Sequence, residues 1–261
     1  MTLWLRRNVG SWLPGLVAAL SVSFPGYAEE PSTVWVSCAM SLKPAVAQVS
    51  ELFEEDHPGV HVQINAGGSG LLVQQARRGA PVDLFVSASP VEMDRLEREG
   101  LLREGSRRPI SANRLVLVAP PDQQVPASLA ELGQGRFDRI ALGNPNTAPV
   151  GRYAMQALES HGLARELRNR LVFGENARQV CEYVARGEAA AGLVYRTDAR
   201  LLGSRLTLGP EIPGDSHEPI RYEAAVMQES QAADLARQLL DALTSAEARA
   251  ILKRHGFTEA R

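Results

Sequence analysis

With 261 residues, 44% hydrophobic and 22% charged, the chain has ordinary globular composition and enough length for one large or two modest domains. Its formal net charge of −2, with no basic stripe, excludes a protein held to nucleic acid by phosphate contacts. No segment after the N-terminus approaches the roughly 20 apolar residues of a membrane span.

The first residues differ in character from the rest. Arg6-Arg7 precede an uncharged run from Val9 to Phe24, and Gly26-Tyr27-Ala28 places small residues where a signal peptidase cuts. The run is short and broken by Gly10, Pro14, Gly15 and Pro25, so residues 1–28 read as a secretory signal removed after Ala28. The mature chain is expected to be soluble and exported.

Alternating strands and helices follow. Val34–Val36 leads to a helix over Leu42–Glu55, with Leu42, Val46, Val49 and Phe53 on one face. His57-Pro58-Gly59 breaks it, strand Val60–Ile64 follows, and helix Leu71–Arg78 stops at Gly79-Ala80-Pro81. Strand Leu84–Val86 and helix Pro90–Arg98 complete a βαβαβα pattern, the signature of a mainly parallel sheet flanked by helices. An apolar strand, Arg114–Ala119, then interrupts the rhythm before Pro120-Pro121.

The βα units resume with strand Ile140–Leu142, helix Arg152–Ser160, strand Leu171–Phe173, helix Arg178–Arg186 and strand Ala191–Tyr195. A second long strand, Ile220–Met227, and helices Gln231–Thr244 and Ala246–His255 close the chain. Two sets of units separated by one strand out and one strand back predict two α/β lobes joined by two crossing strands. Residues 29–112 plus 218–261 form lobe 1 and residues 113–217 form lobe 2. Cys38 ends a strand of the first and Cys181 lies in a helix of the second, so two buried free thiols are expected rather than a disulfide.

Four of the strand-to-helix joints are short and rich in Gly, Ser, Pro and Ala: residues 37–41, 67–70, 147–151 and 175–177. The helix after each opens with unpaired backbone N–H groups and partial positive charge, a setting that favours an anion. Ser41-Leu42-Lys43-Pro44 reads as an N-cap serine followed by proline in the first turn. Gly67-Gly68-Ser69-Gly70 lets backbone approach a ligand closely. Tyr195 ends an apolar strand, where ligands collect in α/β sheets. A cap, a tight turn and a core tyrosine are the plainer readings of each alone. Their joint placement at strand ends points to one oxyanion site.

Catalytic and metal patterns are missing from the sequence. His57 and His61 are separated by Pro58-Gly59 and cannot share a helix face, and there is no HExxH, CxxC, P-loop or nucleophile elbow. The acidic runs at residues 51–56 and 92–99 read as solvated helix faces.

At these same residues the chain resembles the periplasmic molybdate-binding proteins of ABC importers. The matching stretches are Ala39-Met40-Ser41-Leu42, Gly68-Ser69-Gly70-Leu71, Gly79 to Ala88, Gly143-Asn144-Pro145, Ala148 to Ala154, Glu175 to Gln179, Gly192 to Ala199 and Asp215-Ser216-His217, across residues 33–258. The resemblance implies a two-lobed periplasmic binding protein of type II with the oxyanion between its lobes. Ser41 and Ser69 would supply hydroxyl and backbone N–H contacts from the first lobe, Val150 and Ala177 backbone N–H contacts and Tyr195 a phenol O–H from the second. Cys38 and Met40 depart from the family's small or hydroxylated loop residues, and Ala177 stands where valine is common.

The function so implied is capture of molybdate, and of tungstate, in the periplasm by a monomer that hands it to an ABC permease of the inner membrane. No cofactor, directly bound metal or catalysis is expected, and Arg178 and Lys43 are placed outside the ligand's contacts. Another oxyanion receptor, such as one for sulfate, is the alternative. An exported serine hydrolase and a signalling or adhesion module are more distant readings.

Overall fold

Two five-stranded sheets, each covered by helices on both faces, organise the computed structural model, which describes residues 32–260. The predicted signal segment lies outside the described residues. Among them, no helix is long and apolar enough to cross a membrane.

The first sheet is built from β1 (Ser32–Ala39), β2 (Val60–Gly67), β3 (Leu84–Ser87) and β4 (Arg108–Ala112), with α1 (Lys43–Asp56), α2 (Ser69–Arg77) and α3 (Pro90–Arg98) between them. The chain then crosses at Asn113-Arg114 into β5 (Leu115–Ala119), β6 (Ile140–Gly143), β7 (Leu171–Gly174), β8 (Ala191–Tyr195) and β9 (Thr207–Glu211). Helices α4 (Pro149–Ser160), α5 (Ala164–Leu167), α6 (Ala177–Ala185) and α7 (Arg196–Leu202) accompany these strands. It returns through β10 (Arg221–Val226) to α8 (Ala233–Leu243) and α9 (Ala246–Arg254), which pack on α1.

Strand orders are β2-β1-β3-β10-β4 and β7-β6-β8-β5-β9. In each sheet one strand runs against the other four: β10 in the first and β5 in the second. Those reversed strands are the ones entered directly after a crossing. The two halves therefore share one topology, and the expected pair of crossings is present. Near the outward crossing the C-terminal segment bridges back, with Ala112 N–H donating to the Thr258 carbonyl at 2.8 Å and Thr258 N–H to the Ala112 carbonyl at 3.0 Å.

The central strands β3, β5, β6 and β8 are buried along their whole length, as helix cover on both faces requires. Alternation sorts their side chains. Leu115, Leu117, Leu142 and Leu193 face Tyr153, Ala157 and Leu158 of α4, while Val116, Val118 and Val194 face Val180, Cys181 and Val184 of α6. The predicted α1 face also packs, with Val46, Val49 and Phe53 buried against Val34 and Val36. Cys38 and Cys181 are buried free thiols, and burial raises both well above the usual thiol range.

Helices start earlier than the apolar periodicity predicts: α2 at Ser69 rather than Leu71, α4 at Pro149 rather than Arg152, α6 at Ala177 rather than Arg178. Two strands carry no sequence signal, β4 with Pro109 and β9 with Gly209-Pro210. Both are edge strands, where a missing N–H can face away from the ladder.

One buried carboxylate ties the first sheet together. Asp83 Oδ1 accepts from Ser230 Oγ at 2.7 Å, Gln231 N at 3.0 Å and Ala232 N at 3.2 Å, and Oδ2 accepts from Trp35 N at 2.8 Å. It anchors β3 to β1 and to the turn before α8. Asp83→Ala is expected to lower unfolding free energy by about 2–4 kcal/mol in denaturant melts, since several donors lose a charged acceptor at once.

Candidate functional site

The joints that end β1, β2, β6 and β7, together with the end of β8, converge on one cavity between the sheets. It is a narrow cleft, open to solvent at its mouth. Ala39, Met40, Ser41, Gly67, Gly68, Ser69 and Ala88 line it from one side, and Ala148, Pro149, Val150, Asn176, Ala177 and Tyr195 from the other. All five residues singled out in the sequence, Ser41, Ser69, Val150, Ala177 and Tyr195, stand in this wall and are buried. No charged side chain is among the lining residues. A wider, open depression at Gln74, Arg77 and Arg78 on α2 holds none of them.

Local structure explains the placement. Ser69 is the first residue of α2, Val150 the second of α4 and Ala177 the first of α6, so each lies where backbone N–H groups lack an intrahelical acceptor. Asn176 caps α6, its Oδ1 accepting from Gln179 N at 3.1 Å. At the start of α4 an added Cβ on Gly151 would sit 1.9 Å from the Gly143 carbonyl oxygen, so only glycine lets this helix begin so close to β6.

Ser41 departs from its expected role as a cap. A 3-10 turn over Met40–Leu42 intervenes before α1, and no side chain caps that helix. The Ser41 hydroxyl instead lies 2.9 Å from the Tyr222 hydroxyl on β10. Ser69 Oγ accepts from Ala88 N at 3.1 Å, which leaves its own proton for another acceptor. The Tyr195 hydroxyl is buried and has no hydrogen-bond partner among the described residues. Burial raises it well above the ordinary phenol range, so it stays protonated and can only offer a donor or a neutral acceptor.

Direct contacts hold the two sides together around the cavity. Leu71 N donates to the Thr147 carbonyl at 3.2 Å. Arg152 of α4 reaches Glu92 of α3 with both guanidinium nitrogens, at 3.0 and 2.8 Å, and also Ser89 Oγ at 2.9 Å. Glu92 is 2% exposed, so this pair is largely desolvated. Arg152 was not singled out in the sequence, because its carboxylate lies 60 residues away and no local pattern connects them. Lys43 is exposed, as expected.

Arg178 does not face solvent alone. It lies 3.4 Å from Asp198 Oδ1, whose carboxylate is buried and whose Oδ2 has no partner among the described residues. Burial pushes the Asp198 carboxyl up to about 6, with Arg178 pulling the other way. Its unfolded value is about 3.9, so the folded chain binds the proton more tightly. This group's stabilising contribution is full below about pH 4 and is lost as pH rises through about 6. In thermal melts, Asp198→Asn should therefore gain on the wild type as pH rises from about 4 to about 7. A difference constant across that window would show that Asp198 titrates normally.

The family model described as "Bacterial extracellular solute-binding protein" matches residues 34–258. A Bacillus subtilis protein described as an ABC transporter substrate-binding lipoprotein, YvgL, is 32% identical, over 88% of this chain and 88% of its own. The molybdate-binding protein ModA of Azotobacter vinelandii is 30% identical over 94% of this chain and 97% of its own. The solved periplasmic molybdate-binding protein of Azotobacter vinelandii superposes with a TM-score of 0.78 at 25% identity, covering 87% of this chain and all of that one. A sulfate-binding protein, SubI of Mycobacterium tuberculosis, shares the fold at 14% identity with a TM-score of 0.74. The chain belongs to the bacterial extracellular solute-binding protein family.

Proposed function

We propose that this chain captures molybdate, and tungstate equally, between its two lobes and delivers it to an ABC permease. The observation that carries this reading is a buried wall of neutral hydrogen-bond donors that includes the unpartnered Tyr195 hydroxyl. The molybdate-binding relatives support the same ligand. Ser41 and Ser69 donate from one side; the backbone N–H groups at Val150 and Ala177, with the Tyr195 hydroxyl, donate from the other. The lobes so defined are residues 29–112 plus 218–261 and residues 113–217. Residues 1–28 direct export and are removed after Ala28, and the mature receptor works as a periplasmic monomer without a cofactor.

The chemistry follows from the donors. A fully deprotonated tetrahedral dianion presents only acceptors, so a wall of donors satisfies it. Hydrogen phosphate brings a proton that needs an acceptor, and a donor left unmatched in a buried site costs about 1–3 kcal/mol. Sulfate passes that test but holds its oxygens closer to the centre, so a cage set for molybdate stretches several bonds. Tungstate is nearly the same size as molybdate. Charge is met by the helix openings, each worth nominally about half a positive charge and less in effect because the field decays within a turn.

Closure depends on a bare backbone. A Cβ on Gly68 would lie 2.7 Å from both the Thr147 and Glu175 carbonyl oxygens across the cleft. Gly68→Ala should leave each lobe folded, while molybdate affinity in calorimetry falls at least about tenfold, or about 1.4 kcal/mol. Wild-type affinity in this variant would mean that the two sides do not meet there when ligand binds.

A thermal-shift and calorimetry panel of molybdate, tungstate, sulfate, phosphate and chromate tests the reading directly. Molybdate and tungstate should stabilise the protein strongly and sulfate weakly. Tyr195→Phe is expected to weaken molybdate binding by about 1–3 kcal/mol, and an unchanged affinity would remove Tyr195 from the ligand's contacts.

A further inference from the structure

The Ser41 hydroxyl is one end of a hydrogen-bonded chain that begins at the outward crossing between the sheets. Asn113, buried in that crossing, accepts from Arg114 N through Oδ1 at 2.8 Å, and this contact sets which way its amide points. Its Nδ2 group then donates twice, to Thr197 Oγ1 at 2.9 Å and to the Tyr222 hydroxyl at 3.0 Å. The Tyr222 ring is fully buried, wedged between Tyr195 and Phe257 with ring centroids 5.9 and 5.3 Å away. Its hydroxyl has two neighbours in hydrogen-bond reach, Asn113 Nδ2 and Ser41 Oγ.

An amide N–H₂ cannot accept, so the phenol proton has Ser41 Oγ as its acceptor. We propose that Tyr222, oriented by Asn113, holds Ser41 as a hydrogen-bond donor toward the cavity and so helps exclude anions that carry a proton. Ser41 already receives the Tyr222 proton, so its own proton turns into the cavity that Ser41 lines. If it also accepted from a ligand hydroxyl, its own proton would be left only the other oxygens of the same ligand, at a poor angle, because the rest of the wall offers donors. Ser69 is set the same way by the Ala88 backbone N–H. The inference rests on the oxyanion-receptor reading above and goes further: it assigns the discrimination against hydrogen phosphate to a tyrosine that is not among the residues lining the cavity.

The residue acts through another, so the test must read coupling and selectivity. The full mature chain, Tyr222→Phe, Ser41→Ala and the double variant would be titrated calorimetrically with molybdate and with inorganic phosphate at mildly alkaline pH. Tyr222→Phe should weaken molybdate about fivefold and shrink the molybdate-to-phosphate affinity ratio about tenfold. In the Ser41→Ala background the same change should alter neither quantity. An unchanged ratio in Tyr222→Phe overturns the proposal, as does an effect that persists undiminished without the Ser41 hydroxyl. If Tyr222→Phe does not fold, Asn113→Ala frees the phenol and should shrink the ratio in the same direction; no change there overturns the proposal too. A wild type that ignores molybdate overturns the receptor reading and the relay with it. A wild type that binds molybdate with the ratio insensitive to Tyr222 overturns only the relay.

Discussion

A guest enclosed between two bodies loses water on every side, so its acceptors must be met by donors already built into the walls. That constraint explains the composition of the cavity better than any single residue does. The lining has no charged side chain; beside Met40 it consists of hydroxyls, small residues and the openings of helices. Two cations stand nearby and each is answered by a buried carboxylate, Arg152 by Glu92 and Arg178 by Asp198, while Lys43 is exposed to solvent. Neutralised in this way, they leave oriented dipoles to dominate the field inside.

The repeated topology puts those dipoles in place. Each sheet delivers its strand ends to the same edge, and short joints turn at once into helices whose first turns look inward. The single reversed strand in each sheet is the one that follows a crossing, so the two halves face one another with equivalent edges opposed. Small residues at the joints then let backbone from the two halves approach, as at Leu71 and Thr147.

Much of this was legible in the sequence because it is local. Alternating apolar runs and short Gly/Ser/Pro joints gave the strands, helices and inward-facing openings, and the residues of those openings do share one cavity. What escaped was non-local or unfavoured by composition. Edge strands containing Pro109 and Pro210 have no strand-like pattern, since their pairing is decided by a neighbour. Helix starts fell early because Ser69, Pro149 and Ala177 belong to the first turn without carrying apolar periodicity. Ser41 read as a cap from its neighbours in sequence, yet its hydroxyl answers to Tyr222, 181 residues further on. Glu92 reads as part of a solvated acidic face, yet it is buried against Arg152, 60 residues further on, a pairing no local pattern announces.

The bidentate contact between Arg152 and Glu92 bears on how such a protein works in time. It joins the halves without being among the residues that line the cavity, so whatever net free energy it retains after desolvation acts on the shut conformation whether or not a guest is inside. Tightening it would slow escape of cargo and at the same time raise the fraction of empty molecules that already resemble loaded ones. A downstream receiver that recognised only the shut outline would then meet decoys. The strength of this clasp, together with the backbone contact of Leu71 with Thr147, therefore bears on a compromise between holding on and signalling truthfully.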